Sequence, residues 1–225
     1  NQPGFHVVFR SLLRARESYA NLKNWVRWYL SCTTAQLVTF VVGLGLFCFN
    51  PDRFPLILDL PQLVWINLLV GVIPSLAIAQ DTIYSNLQRN KPQKILPFLE
   101  QRGYSDFIVR GVIISLITLV SYAAALDRSY TIGSPIQTVT CTTLILAQLI
   151  SNFQCRRHKW STLPETIKSN PWLLVAILFC CALQGFSIYL PGIQEALGFV
   201  PITSEWQWII PLSILMFLPL NLANQ

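Results

Sequence analysis

Long uncharged apolar runs constrain this chain more than any motif in it. Six of them recur, at approximately 24–49, 62–81, 105–126, 137–154, 171–190 and 205–221. Each is close to the roughly 20 residues that an α-helix needs to cross the ~30 Å hydrocarbon core of a bilayer. Inside that core the backbone has no water to bond, so each run must satisfy its own N–H and C=O groups as a helix. Charged residues make up 12% of the chain, against about 25% for an ordinary soluble domain. The expected fold class is therefore all-α integral membrane, with six transmembrane helices.

The charges then orient the runs. Arg10, Arg14, Arg16, Lys23 and Arg27 precede or open the first span. Arg89, Lys91, Lys94, Arg102 and Arg110 surround the connection between spans two and three, and Arg156, Arg157, Lys159 and Lys168 lie between spans four and five. Only Arg53 and Arg128 fall in the alternate connections. The positive-inside rule places both termini in the cytoplasm. The net charge of +6 is thus an orientation signal and gives no reason to invoke nucleic acid. The run 156–159, RRHK, reads as a solvated loop, with contact to anionic lipid as the other reading. Trp25, Trp28, Trp65, Trp172, Trp206 and Trp208 sit near expected span ends and read as interfacial anchors. The cysteines, mostly inside spans and without CxxC or metal spacing, read as apolar packing.

Two domains follow: residues 1–23 as a basic cytoplasmic stalk helix and 24–225 as the membrane domain. The pattern of 4–23 is helical and runs into the first span without Gly or Pro, so one long helix is expected, with a short surface helix as the alternative. The chain opens on Asn1 and carries its one Met at Met216, so a processed or trimmed start is expected. No soluble segment exceeds roughly 25 residues, too short for a nucleotide-binding or catalytic domain. A GxxxxGK loop, a nucleophile elbow and a metal-ligand cluster are all absent from the sequence. His6 and His158 have no sequence neighbour that suggests catalysis. The chain is expected to be no enzyme by itself and to hold no cofactor.

Several separate motifs, in order, carry a resemblance. The segment 15–31, ARESYANLKNWVRWYLS, follows G-R-x-x-Y-x-N-x-K-x-x-[IV]-R through Arg16, Tyr19, Asn21, Lys23 and Arg27, with Ala15 in place of the Gly. The segment 62–79, QLVWINLLVGVIPSLAIA, follows Q-L-L-W-[IV]-N-L-V-T-D-G-[LV]-P-A-x-A-L through Gln62, Leu63, Trp65, Asn67, Leu68, Pro74 and Ala77. These resemble the fifth and sixth transmembrane helices of P-type cation-transporting ATPases, closest to the calcium-pump branch. The segments 142–156 and 170–202 resemble the eighth helix and the ninth with the loop after it. Over nearly the whole chain, the six spans would correspond to helices five to ten.

The resemblance implies a set of ligand positions, and the chemistry there departs from the family. The fifth helix of the pumps offers an Asn and a Glu, where this chain has Thr33 and Gln36. The sixth offers Asn, Thr and Asp, where it has Asn67, Val70 and Gly71, and the eighth-helix acid or amide is Gln148. Thr33, Gln36, Asn67 and Gln148 keep an oxygen, but none is a carboxylate. Calcium takes about 6–8 oxygen ligands, commonly several of them charged, and a divalent ion among neutral amides in low dielectric is costly. No confident metal site follows. One reading has these polar groups bonding one another across helix contacts; another keeps a monovalent ion or small polar substrate. Asp81, at the expected cytoplasmic end of span two, reads as solvated or paired with a base. Pro74 fits a broken helix that frees carbonyls near the midplane, and fits a kink equally.

Three functions are compatible with this. The first is a non-catalytic membrane protein derived from the C-terminal half of a pump, acting as an assembly, scaffold or regulatory subunit. The second is a fragment or separate subunit of a P-type transporter whose catalytic parts, with the D-K-T-G-T motif, lie on other sequence. The third is an autonomous channel or carrier, for which no charged ring or filter is visible. Expected partners are membrane lipids and membrane proteins covering the face that four further helices occupy in the pumps. The bacterial plasma membrane, the thylakoid and organellar membranes all remain open as the location.

Overall fold

The structure is a computed structural model and describes residues 3–79, 101–128, 135–156 and 170–217. It opens on one helix, α1 (Pro3–Phe49), of 47 residues. At 1.5 Å per residue that is about 70 Å, more than twice the hydrocarbon thickness. Pro3 sits at the first helical position, where its missing N–H costs nothing, and the helix ends where Asn50 and Pro51 open a turn.

The second span is continuous but not uniform. It comprises α2 (Leu60–Ile66), a π-helical segment (Asn67–Val72) and α3 (Ile73–Ala79). In a regular α-helix the Pro74 ring would press on the Val70 carbonyl one turn earlier. The widened π segment lies immediately before it and spreads that strain without breaking the helix. Of the two readings of Pro74, the structure thus takes neither outright. The widened turn exposes carbonyls, and the Cys180 thiol donates to the Leu69 carbonyl at 3.4 Å.

The remaining elements are α4 (Gln101–Arg128), α5 (Ile136–Arg156), α6 (Pro171–Tyr189), the short α7 (Pro191–Leu197) and α8 (Trp206–Ile214), followed by a 3₁₀ turn, Leu215–Phe217. Asn170 caps α6 by accepting from the Leu173 N–H at 3.2 Å, and its amide donates to the Ala77 carbonyl at 3.0 Å. One side chain thus both starts α6 and pins it to the end of α3.

Five helices are long and apolar enough to cross a membrane: α1, the α2–α3 span, α4, α5 and α6. The sixth expected span is described only in part. From Trp206 it runs only nine residues as α-helix before tightening to 3₁₀, with Pro211 inside and unable to donate to the ladder. Residues 218–221 of that run lie outside the described residues. So do Asp81 and His158, together with Arg89, Lys91, Lys94, Arg157, Lys159 and Lys168, on which much of the expected orientation rests.

Helix α5 is the hub. Its span is 83% buried, whereas the other four are 28–39% buried, and it is also the least apolar, with mean hydropathy 1.2 against 1.7–2.0. The two facts have one cause. A helix surrounded by other helices meets protein donors and acceptors in place of lipid, so it can carry polar side chains that a lipid-facing helix cannot. Thr138, Thr140, Thr142, Thr143, Gln148, Ser151 and Asn152 are all buried on it. Its contact with α4 includes a Ser121–Thr143 hydroxyl pair at 2.7 Å.

Helices α1 and α4 approach closely through small residues. A Cβ at Gly111 would lie 2.7 Å from the Thr34 Cβ and 2.8 Å from the Ser31 carbonyl oxygen. One turn further along α4, Ser115 accepts from the Thr39 hydroxyl at 3.2 Å. This small-xxx-small spacing lets backbones meet where no hydrophobic force drives association.

At the end of the bundle away from the N-terminus, connecting segments are tied down by side chains. Tyr122 donates to the Pro55 carbonyl at 2.7 Å and Gln137 to the Leu56 carbonyl at 3.0 Å. Gln62 donates to the Leu197 carbonyl at 3.2 Å, and Thr138 accepts from the Val200 N–H at 2.8 Å. Gly198 ends α7 with φ of 65°, the left-handed conformation that glycine adopts without strain.

Candidate functional site

The ligand-equivalent positions fall on three elements: α1, the π segment and α5. The structure brings only some of them together. Gln148, fully buried on α5, donates from Nε2 to the Cys32 carbonyl of α1 at 3.1 Å. Its own backbone carbonyl accepts from the Trp28 indole at 3.1 Å, and Ser151 Oγ accepts from the same N–H at 3.1 Å. The α1–α5 contact is therefore closed from both sides.

Thr33 takes no part in this contact. It is exposed on α1 and donates to the Tyr29 carbonyl of its own helix at 2.6 Å. Asn67, half-buried at the start of the π segment, donates back to the Leu63 carbonyl at 2.9 Å. Gln36 is buried at 8% exposure and Val70 at 1%. For Thr33, Asn67 and Gln148, the reading in which these polar groups bond one another across helices is thus corrected. Gln148 crosses to a backbone carbonyl, and Thr33 and Asn67 each bond their own helix. A helix interior holds unpaired side-chain donors one turn from an accessible carbonyl, and back-bonding is the nearer solution.

Gly71 has a specific neighbour. A Cβ built there lies 3.3 Å from Cε2 of Tyr29 and 3.9 Å from its hydroxyl oxygen. The position where the resembling pumps carry an aspartate therefore faces an aromatic ring of α1. Tyr29 is held by stacking on Trp25, with centroids 5.4 Å apart and planes 14° apart. Sequence reasoning missed Tyr29 altogether, and its one signal was an aromatic residue in a span whose next turn is Ser, Cys, Thr and Thr. It also placed Trp28 and Trp65 as interfacial anchors. Trp28 is fully buried, and the Trp65 indole donates to Gln184 Oε1 at 2.9 Å. Trp172 is 62% exposed.

A second polar chain joins the helices beside this site. From Trp65 on α2 it passes through Gln184 on α6, whose Nε2 donates to Thr142 Oγ1 of α5 at 3.1 Å. Ser187 donates to the Gln184 carbonyl at 2.8 Å. Among the described residues there is no group of three or more His, Cys, Asp or Glu placed to hold a metal ion.

Apolar helices of membrane-crossing length around a polar hub define an integral, multi-pass helical membrane protein. Its particular family is given by comparison. Residues 55–224 match the family described as "Cation transporting ATPase, C-terminus", and the chain belongs to that family. It is 26% identical over 212 residues to the calcium-transporting ATPase of Bacillus subtilis (strain 168), covering 93% of this chain and 23% of that protein. Similarity to calcium-transporting ATPase 1 of Lactococcus lactis subsp. lactis (strain IL1403) is 25% over 208 residues, covering 92% and 22%. For the endoplasmic reticulum-type calcium-transporting ATPase 3 of Arabidopsis thaliana it is 22% over 240 residues, covering 93% and 23%. The chain spans about a quarter of the length of the curated relatives it matches.

Proposed function

We propose that this chain is a non-catalytic membrane module derived from the C-terminal half of a P-type cation ATPase. It serves as an assembly, scaffold or regulatory subunit of a membrane complex, with both termini in the cytoplasm. The observation that carries this reading is the Tyr29 ring against Gly71. Loss of a carboxylate alone leaves room for water or a weak ligand, whereas an aromatic ring occupies the space a ligand would enter. Gln148 supports it, since its amide is spent on holding α1 to α5. The partners expected are lipids and membrane proteins that cover the face four further helices occupy in the pumps, and no cofactor is required.

A second reading has one observation in its favour. Helix α1 is unbroken over 47 residues, and a rigid rod that long can carry motion from a soluble domain into the membrane. On that reading the chain is the membrane part of a P-type cation transporter whose catalytic domains lie on other sequence.

Purification of the chain from its native membrane in mild detergent, with mass spectrometry of stoichiometric partners and radioactive calcium binding, separates these readings. The proposal expects partners without D-K-T-G-T and no saturable calcium binding at micromolar concentration. A stoichiometric partner carrying D-K-T-G-T supports the second reading. Saturable micromolar binding by the purified chain overturns the closed site.

A further inference from the structure

We infer that α5 carries a built water site between Gln148 and Asn152, buried inside the helix bundle. Asn152 is fully buried, and both its Oδ1 and its Nδ2 lack a protein partner. Gln148 is equally buried, and its Oε1 has no protein partner either. The two residues are four apart on one helix, so they lie one above the other on the same face.

The amide of Gln148 is oriented by its surroundings. Its nitrogen donates to the Cys32 carbonyl, and the opposite assignment would set two acceptors against each other, so the free end is the oxygen. The guest must then donate to Gln148 Oε1. At Asn152 it meets a donor and an acceptor whichever way that amide is turned. A bare cation satisfies the oxygens but leaves the N–H₂ facing positive charge, and an ammonium group has no acceptor to offer. A small group that donates and accepts together is required, and water is the smallest.

The spacing agrees. Side chains at i and i+4 are rooted on Cβ atoms about 5–6 Å apart, and a water making two hydrogen bonds of about 2.8 Å at a near-tetrahedral angle bridges atoms about 4.6 Å apart, within reach of two such amides. Buried waters characteristically satisfy polar groups of this kind with two to four bonds. This inference does not depend on whether the chain acts alone or within a transporter.

The test is high-resolution cryo-electron microscopy of the full chain, in the complex with which it purifies, reconstituted in lipid nanodiscs. One preparation holds sodium, potassium and calcium; the other is free of metal cations, buffered with a bulky organic base and chelator. The expected result is one density between the Gln148 and Asn152 amides, of equal strength in both preparations. Density that appears only with metal cations assigns a cation site and overturns the inference. Absence of density, with the amides turned onto protein groups, overturns it too. Radiolytic footprinting of the unsubstituted protein gives an independent readout, because hydroxyl radicals formed from a bound water label its buried neighbours. Labelling of Leu149 above that of the equally enclosed Leu144 is expected, and equal labelling refutes the site. In Asn152→Leu the excess labelling is lost.

Discussion

The α1–α4 contact makes a quantitative prediction that needs no knowledge of the partner. Substitution of Gly111 by Ala places a Cβ 2.7 Å from Thr34 Cβ, 2.8 Å from the Ser31 carbonyl oxygen and 2.9 Å from Thr34 Cγ2. Ordinary contact between carbons is about 3.5–4.0 Å, so the shortfall is about 1 Å against two groups fixed to the α1 backbone. Such overpacking costs about 1–3 kcal/mol. Replacing a helical Gly by Ala returns about 0.5–1 kcal/mol of backbone entropy, leaving a net loss of up to about 2.5 kcal/mol. Gly45, on the same α1, supplies the control, because a Cβ there meets nothing within 4 Å. Gly45→Ala should therefore gain up to about 1 kcal/mol from the propensity term alone. Reversible unfolding in mixed micelles with a rising fraction of sodium dodecyl sulfate, followed by tryptophan fluorescence, measures both. Gly111→Ala should unfold at lower detergent fraction than the unsubstituted chain, and Gly45→Ala at equal or higher fraction. The reasoning is refuted if the two alanines shift the midpoint alike. A partial recovery in the double variant Thr34→Gly with Gly111→Ala would locate the clash, since that change removes two of the three atoms.

Three further outcomes follow from the site and its surroundings. Gly71→Asp alone will not create micromolar calcium binding, because the new carboxylate meets Tyr29 at 3.3 Å from its Cβ and gains no second acid; equilibrium dialysis with radioactive calcium checks this, and saturable micromolar binding contradicts it. Gln184→Leu should destabilise the chain by about 1–3 kcal/mol, since it strands the Trp65 indole N–H and one bond of Thr142; the same micelle titration reads the loss, and an unchanged midpoint counts against the network. Cys48, exposed near the end of α1, should react with a membrane-permeant maleimide in the native protein, whereas Cys141, fully enclosed on α5, should react only after unfolding. Comparable labelling rates at the two positions would show that α5 is not the enclosed hub.

The legible part of this fold is the part the membrane dictates. A bilayer forbids unpaired backbone, so each apolar run announces a helix without reference to any other, and five of the six expected runs are helices of crossing length. Within the described part of the sixth run, the tightening to 3₁₀ after Ile214 was not legible, because Pro211 acts on the hydrogen-bond ladder, to which composition is blind. The π segment is a second case. Pro74 permitted a break or a kink, and the widened turn depends in part on a carbonyl partner, Cys180, 111 residues away from Leu69. Trp28 fails for a related reason. The anchor rule reads position along a span, whereas the indole is placed by the acceptors that Gln148 and Ser151 present from another helix.

The candidate site was half legible, and the illegible half changes its meaning. Ligand positions can be transferred along a sequence because each is a property of one helix, and the absence of acid at Gln36 and Gly71 was visible in that way. Whether a vanished ligand leaves an open cavity or a filled one is a property of the facing helix. Tyr29 comes from α1, 42 residues before Gly71, and lies against the position from outside the motif. The hub carried a signal that reading each run separately passes over: α5 is the least apolar of the crossing helices, and a span can carry so many hydroxyls and amides only if protein surrounds it. In an open ion path the polar atoms of α5 would face a common space, whereas here Gln148, Thr142, Thr143 and Ser151 are bonded to α1, α6 and α4. Among the described side chains of that helix, the Gln148 oxygen and the Asn152 amide are the buried atoms left without protein partners. The polar centre is therefore chiefly a means of holding the helices together, with one small hydrated remainder.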